Sequence, residues 1–202
     1  VMSTYRDGKS SLCRIEAATG EITCLTEPVA SEDLTLTPGT LASVSGWLYY
    51  WQDETLRGVD IHTLDERVLV EEIGREWSGA LMSVDRGETV LATPVTTTHP
   101  DILAGVPADQ ARAYRDAFPD GKGLETRILE VDLDSGEIRE IYREAGVKCA
   151  HLEYSPTDAD IVYMDRDLPP MWWSGGDYSR TARCHILRLS TGQLTPLVPA
   201  AE

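Results

Sequence analysis

The chain has 202 residues and is 42% hydrophobic, which supports a buried core and argues against disorder. Its 34 acidic residues against 18 basic ones give a formal charge of −16 spread along the chain, a surface that repels phosphate backbones and anionic lipid, so neither nucleic acid nor membrane is expected as a partner. No run approaches the ~18 apolar residues of a membrane span and no signal-like segment opens the sequence, so a cytoplasmic location is expected, with the periplasm as the alternative.

Residues 1–27 read as three short strands, VMSTY, SLCRIE and EITCLT, separated by the turns RDGK and ATGE. Cys13 and Cys24 fall on neighbouring strands of this hairpin and are placed to pair, although small buried thiols are the preferred reading. With Cys149 and Cys184 they show neither CxxC nor metal-ligand spacing.

Residues 32–72 form a second unit, DLTLT, GWLYYWQ, TLRGVDI and ERVLVEE. In GWLYYWQ, alternation puts Trp47, Tyr49 and Trp51 on one face and Leu48 and Tyr50 on the other, as expected of a strand packed between two sheets. A sugar-stacking platform is the second reading of those tryptophans. The third unit, 78–143, begins SGALMSV and TVLATPV and then departs from the pattern before RILEVDL and EIREIYRE. Within the departure, Pro107 and the spacing of Ala111, Tyr114 and Phe118 predict a short helix ended by Pro119.

The fourth unit, 150–199, reads AHLEYS, DIVYMDR, a long loop, ARCHILRL and QLTPLV. The loop carries Pro169-Pro170, Trp172, Trp173, Gly175-Gly176 and Arg180, and two adjacent tryptophans beside a glycine hinge are hard to place in a core. It is the stretch best suited to touching a ligand.

One strand–turn–strand phrase recurs four times, at 11–27, 55–72, 127–144 and 185–199, with Gly20, Asp65, Gly136 and Gly192 taken as the shared turn. The first interval matches the roughly 40–50 residues of a propeller blade, and the later two are longer and must carry insertions. The predicted fold is all-β: about four blades of a larger β-propeller, the first lacking its innermost strand, with one short helical insertion. An open arc of this kind leaves end faces unpacked, so self-association is expected.

The phrases RDGKSSLCRIEAATGEITCLTEP, REWSGALMSVDRGETVL and TRILEVDLDSGEIREIYREAGVKCAHLEYSPTDADIVY, with the insertion between the last two, resemble the oligogalacturonate lyase family. These are seven-bladed propellers that cleave pectin-derived uronides by β-elimination. The resemblance implies an acidic oligosaccharide as partner and matches His151 to a family histidine. Where members carry a Cys-His-Glu-Gly motif with a catalytic His, this chain has Met164-Asp165-Arg166-Asp167. The family's metal-binding His and Gln cluster belongs to later blades, so no cofactor is expected within this chain and a divalent metal such as manganese only beyond it.

Removing a proton α to a uronate carboxylate needs a base and a cationic or hydrogen-bonding group for the developing charge. His151, Asp165 and Arg166 are the candidate catalytic residues. Trp172, Trp173, Arg180 and Arg183 are the candidate substrate-binding ones: a flat wall for a sugar ring, and positive charge against the negative field of the protein. His151 begins one strand and Asp165 ends its antiparallel neighbour, so the two are expected at one edge. The alternative function is a non-catalytic propeller of the TolB or WD40 kind, binding a ligand or a protein.

Overall fold

The computed structural model describes residues 2–6, 8–30, 36–52, 55–71, 77–78, 82–98, 124–167 and 182–197. The helix expected over 107–118 and the loop residues Trp172, Trp173 and Arg180 lie outside them. Among the described residues every regular element is a strand, and the strands form four antiparallel sheets in chain order.

The first sheet holds β1 (Met2–Arg6), β2 (Lys9–Ile15), β3 (Ile22–Cys24) and β4 (Val29–Ala30). β3 and β4 pair with successive stretches of the same edge of β2, opposite β1, so the sheet is three ranks deep with an interrupted outer rank. The second sheet runs β5 (Leu36–Leu41), β6 (Trp47–Gln52), β7 (Thr55–Asp60) and β8 (Glu66–Val70). β5 continues past Pro38 through a bulge between Thr37 and Thr40. A Cβ on Gly39 would lie 1.7 Å from the Tyr49 carbonyl oxygen, so only glycine admits this approach of β5 to β6.

The third sheet contains β9 (Trp77–Ser78) and β10 (Ser83–Val84), both on β11 (Val90–Thr98), followed by β12 (Leu124–Asp132) and β13 (Ile138–Ala145). The fourth is β14 (Lys148–Tyr154), β15 (Ile161–Asp167), β16 (Cys184–Arg188) and β17 (Gln193–Pro196). β11 and β15 are each the second rank of their sheet, and each is paired with the third rank, β12 and β16.

Alternation along the middle strands decides how the sheets stack. Leu48, Tyr50 and Val59 pack with Leu12 and Leu25 of the first sheet, while Tyr49, Trp51 and Leu56 pack with Met82, Leu91 and Val131 of the third. The third sheet turns its other face, with Ala92 and Ile128, onto Leu152, Tyr154, Val162, Met164 and Leu187 of the fourth. Trp51 is buried and Trp47 is capped by the Arg67 guanidinium 4.4 Å from its ring, so these aromatics form an inter-sheet layer and not an open sugar platform. Among the cysteines Cys13 and Cys149 are buried as expected, whereas Cys24 and Cys184 are exposed.

Polar staples bridge the same interfaces. The Arg14 guanidinium donates to the Ile61 carbonyl between the first and second sheets. The Glu88 carboxylate accepts the Val44 and Ser45 amides at 2.7 and 2.8 Å between the second and third. Ser83 Oγ accepts the Tyr154 amide at 3.0 Å, and Thr126 Oγ1 donates to the Val147 carbonyl at 2.7 Å, between the third and fourth.

The repeated hairpin turn is one structure used four times, closed by amide-to-carbonyl bonds from Gly20 to Glu16, Leu64 to Asp60, Gly136 to Asp132 and Gly192 to Arg188. The shared position in the second sheet is therefore Leu64, one residue before the Asp65 expected from the sequence. Leu64 takes the left-handed φ of 64° that glycine supplies in the other three turns. Its side chain is exposed and contributes little packing in exchange. Leu64→Gly should accordingly stabilise the chain by about 0.5 kcal/mol, the relief of backbone strain outweighing the added freedom of the unfolded chain. The check is the urea midpoint at constant m-value, and a lowered midpoint would show that the turn is not strained.

Candidate functional site

At the end of the fourth sheet where β15 finishes, Ala150 pairs with Asp165 and Asp165 with Cys184. Between Ala150 and Glu153 the register slips, so that His151 and Leu152 together oppose Met164. This is a β-bulge whose first residue, His151, has a φ of 51°. Glycine is the usual occupant of that conformation, and a histidine there costs of order 1 kcal/mol in backbone strain. The bulge re-aims the imidazole toward Asp165, across the strand pair.

Asp165 is the hub. Its Oδ2 lies 2.9 Å from His151 Nδ1 and 3.2 Å from the Arg183 guanidinium, and its Oδ1 accepts from the Cys184 thiol at 3.4 Å. The carboxylate is 16% exposed, whereas the imidazole is 54% exposed, so the acid is the sheltered partner and the base faces solvent. A ring with its hydrogen on Nδ1 would turn that N–H to the carboxylate and leave the Nε2 lone pair on the solvent side. An imidazole placed in this way is within reach of solvent and can exchange a proton with a group in front of it.

Arg166 goes elsewhere. Adjacent residues of a strand point to opposite faces, and while Asp165 faces away from the third sheet, Arg166 faces toward it. There its guanidinium forms a two-pronged ion pair with Glu144 at the end of β13, which also accepts from the Tyr142 hydroxyl. The cation beside His151 and Asp165 is Arg183, on the approach to β16. Of His151, Asp165 and Arg166, expected at one edge, the fold brings the first two together and sends Arg166 to an inter-sheet contact, while Arg183, expected among the substrate-binding residues, joins the pair. Cys184 was missed because a lone cysteine carries no sequence signal; the separation of Asp165 from Arg166 was legible in strand alternation.

Burial pushes the Glu144 carboxyl up, but the hydrogen bonds from Arg166 and Tyr142 and the Arg166 charge outweigh it and hold it below the ordinary value. A carboxyl depressed on folding stabilises the fold above its unfolded pKa and loses that contribution as pH falls through its folded pKa. Glu144→Gln leaves Arg166 half-buried without a counter-charge and should cost about 2 kcal/mol at neutral pH. The deficit relative to the parent chain should shrink below about pH 4. Denaturant midpoints of both proteins at the two pH values check this, and a deficit independent of pH would mean that the ion pair does not hold the interface.

Among the described residues no group of three or more His, Cys, Asp or Glu side chains is arranged to hold a metal ion.

No family model and no curated protein matches this sequence. Solved structures do. An oligogalacturonate lyase in complex with manganese matches with a TM-score of 0.71 at 19% identity, over 96% of this chain and 47% of that one. The oligogalacturonate lyase of Vibrio parahaemolyticus gives 0.69 at 18%, with the same coverage of 96% and 47%. TolB from Acinetobacter baumannii gives 0.59 at 11%, covering 94% of this chain and 37% of TolB. The chain spans about half the length of the lyases it matches. Its fold is a partial β-propeller, similar to that of the oligogalacturonate lyases and of TolB.

Proposed function

We propose that this chain carries a recognition surface for pectin-derived uronic acid oligosaccharides, centred on His151, Asp165 and Arg183, and that His151 Nε2 is the proton acceptor for β-elimination in the protein that contains it. The observation that carries the reading is the left-handed φ of His151: a strained, solvent-facing imidazole tied to a sheltered carboxylate contributes less to stability than glycine would at the same bulge. Backbone strain of this kind clusters at active sites and ligand clamps. The likeness to lyase propellers supplies the substrate class.

In this reading Asp165, which stands where the resembling family has its motif His, orients an imidazole from the neighbouring strand. His151 removes the proton α to the uronate carboxylate as the C–O bond at the β-carbon breaks and the leaving oxygen departs with the electron pair. Arg183 supplies a guanidinium for the substrate carboxylate, a charge-assisted contact that also offsets the acidic field of the chain.

Calorimetric titration with trigalacturonate tests the proposal on the parent protein and on the His151→Ala and His151→Gly variants. Both variants should bind about tenfold more weakly, while His151→Gly should be more stable than His151→Ala by about 1 kcal/mol because glycine accepts the bulge. Absence of binding by the parent, or equal binding by all three, would overturn the reading and leave a protein-binding propeller in its place.

A further inference from the structure

We propose that Cys13 and Cys24 are a site of reversible disulfide formation, with a low-molecular-weight disulfide such as oxidised glutathione as the oxidant. The two residues are direct partners across β2 and β3. Their Sγ atoms are 3.5 Å apart, both in the thiol form.

The backbone ladder explains why this pair suits a bridge. Leu25 N donates to Leu12 O at 2.7 Å and Glu16 N to Glu21 O at 2.9 Å, which makes Leu12 with Leu25 and Glu16 with Glu21 hydrogen-bonded pairs. Alternation then makes Cys13 with Cys24 a non-hydrogen-bonded pair, the class whose Cα atoms approach to about 4.5 Å. That spacing lies inside the window of roughly 4.4–6.8 Å that a disulfide spans, so a bridge forms without moving the strands. Neither remaining cysteine stands in register with this pair: Cys149 and Cys184 both belong to the fourth sheet.

The asymmetry of the pair sets the order of events. Cys24 is exposed and Cys13 is buried, so Cys24 is the thiol that an external disulfide meets. Its sulfur also takes a hydrogen bond from the Ser11 hydroxyl at 3.9 Å. The hydrogen bond with Cys13 raises the Cys24 pKa, so proximity and not thiolate character selects the site. The Cys24 thiolate attacks one sulfur of glutathione disulfide and expels a glutathione thiolate. Cys13 then loses its proton to solvent and attacks Cys24 Sγ, expelling the second glutathione. The protein gives up two electrons and two protons, and one glutathione disulfide becomes two thiols.

The experiment is incubation of the folded chain with oxidised glutathione, alkylation of residual thiols and peptide mapping without reduction, repeated in urea. Expected are a Cys13–Cys24 bridged peptide pair from the folded chain, a loss of the mass of two hydrogens that dithiothreitol reverses, and a scrambled set of pairings in urea. Cys13→Ser should arrest the reaction with glutathione retained on Cys24, and Cys24→Ser should leave Cys13 unmodified. A stable glutathione adduct on Cys24 of the parent chain with no bridge, or a bridge that appears only in urea, would overturn the proposal.

Discussion

Each sheet of this chain obtains its core from its neighbours. The second sheet shows the constraint most plainly: Tyr49 and Trp51 are buried against the third sheet while Leu48 and Tyr50, one step away along the same strand, are buried against the first. Fully burying such a side chain contributes about 1.5–3 kcal/mol, whereas an individual hydrogen-bonded staple contributes about 1 kcal/mol net. The apolar layers therefore hold the stack together. The staples at Arg14, Glu88, Ser83 and Thr126 fix how far one sheet slides on the next, because each polar group finds its partner at only one offset.

That division of faces also determines what the last sheet offers. Val162, Met164 and Arg166 of β15 are committed to the third sheet, the first two through apolar contact and the last through Glu144. The intervening Asp165 is left on the opposite face, where it gathers His151, Arg183 and Cys184. A one-residue slip of register would exchange the two sets and place the carboxylate in the interface. Packing between sheets is thus the condition for a sheltered acid holding an exposed base.

Much of this was legible in the sequence. Period-two alternation and Gly-bearing turns give the hairpins, and antiparallel pairing puts His151 and Asp165 at one edge. What the residues did not disclose were departures from regularity. Nothing in the sequence marks the bulge at His151, because the conformation usually signalled by glycine is occupied there by a histidine. The turn at Leu64 hides for the same reason, which shifted the apparent repeat position to Asp65. Arg166 was grouped with its sequence neighbour although alternation separates them, and Arg183, remote in sequence, fills the place it was expected to take.

The account rests on one contact, the 2.9 Å approach of the strained His151 Nδ1 to the Asp165 carboxylate. It fixes which nitrogen faces solvent, and with it the chemistry proposed for the site. The direct test is long-range proton–nitrogen NMR of the imidazole at a pH where it is neutral, with assignment by comparison with Asp165→Asn. The account predicts an Nδ1-protonated ring whose Nε2 carries the lone pair, and a change in that tautomer balance in Asp165→Asn. A His151 signal from the Nε2-protonated tautomer, unaffected by the substitution, would contradict it.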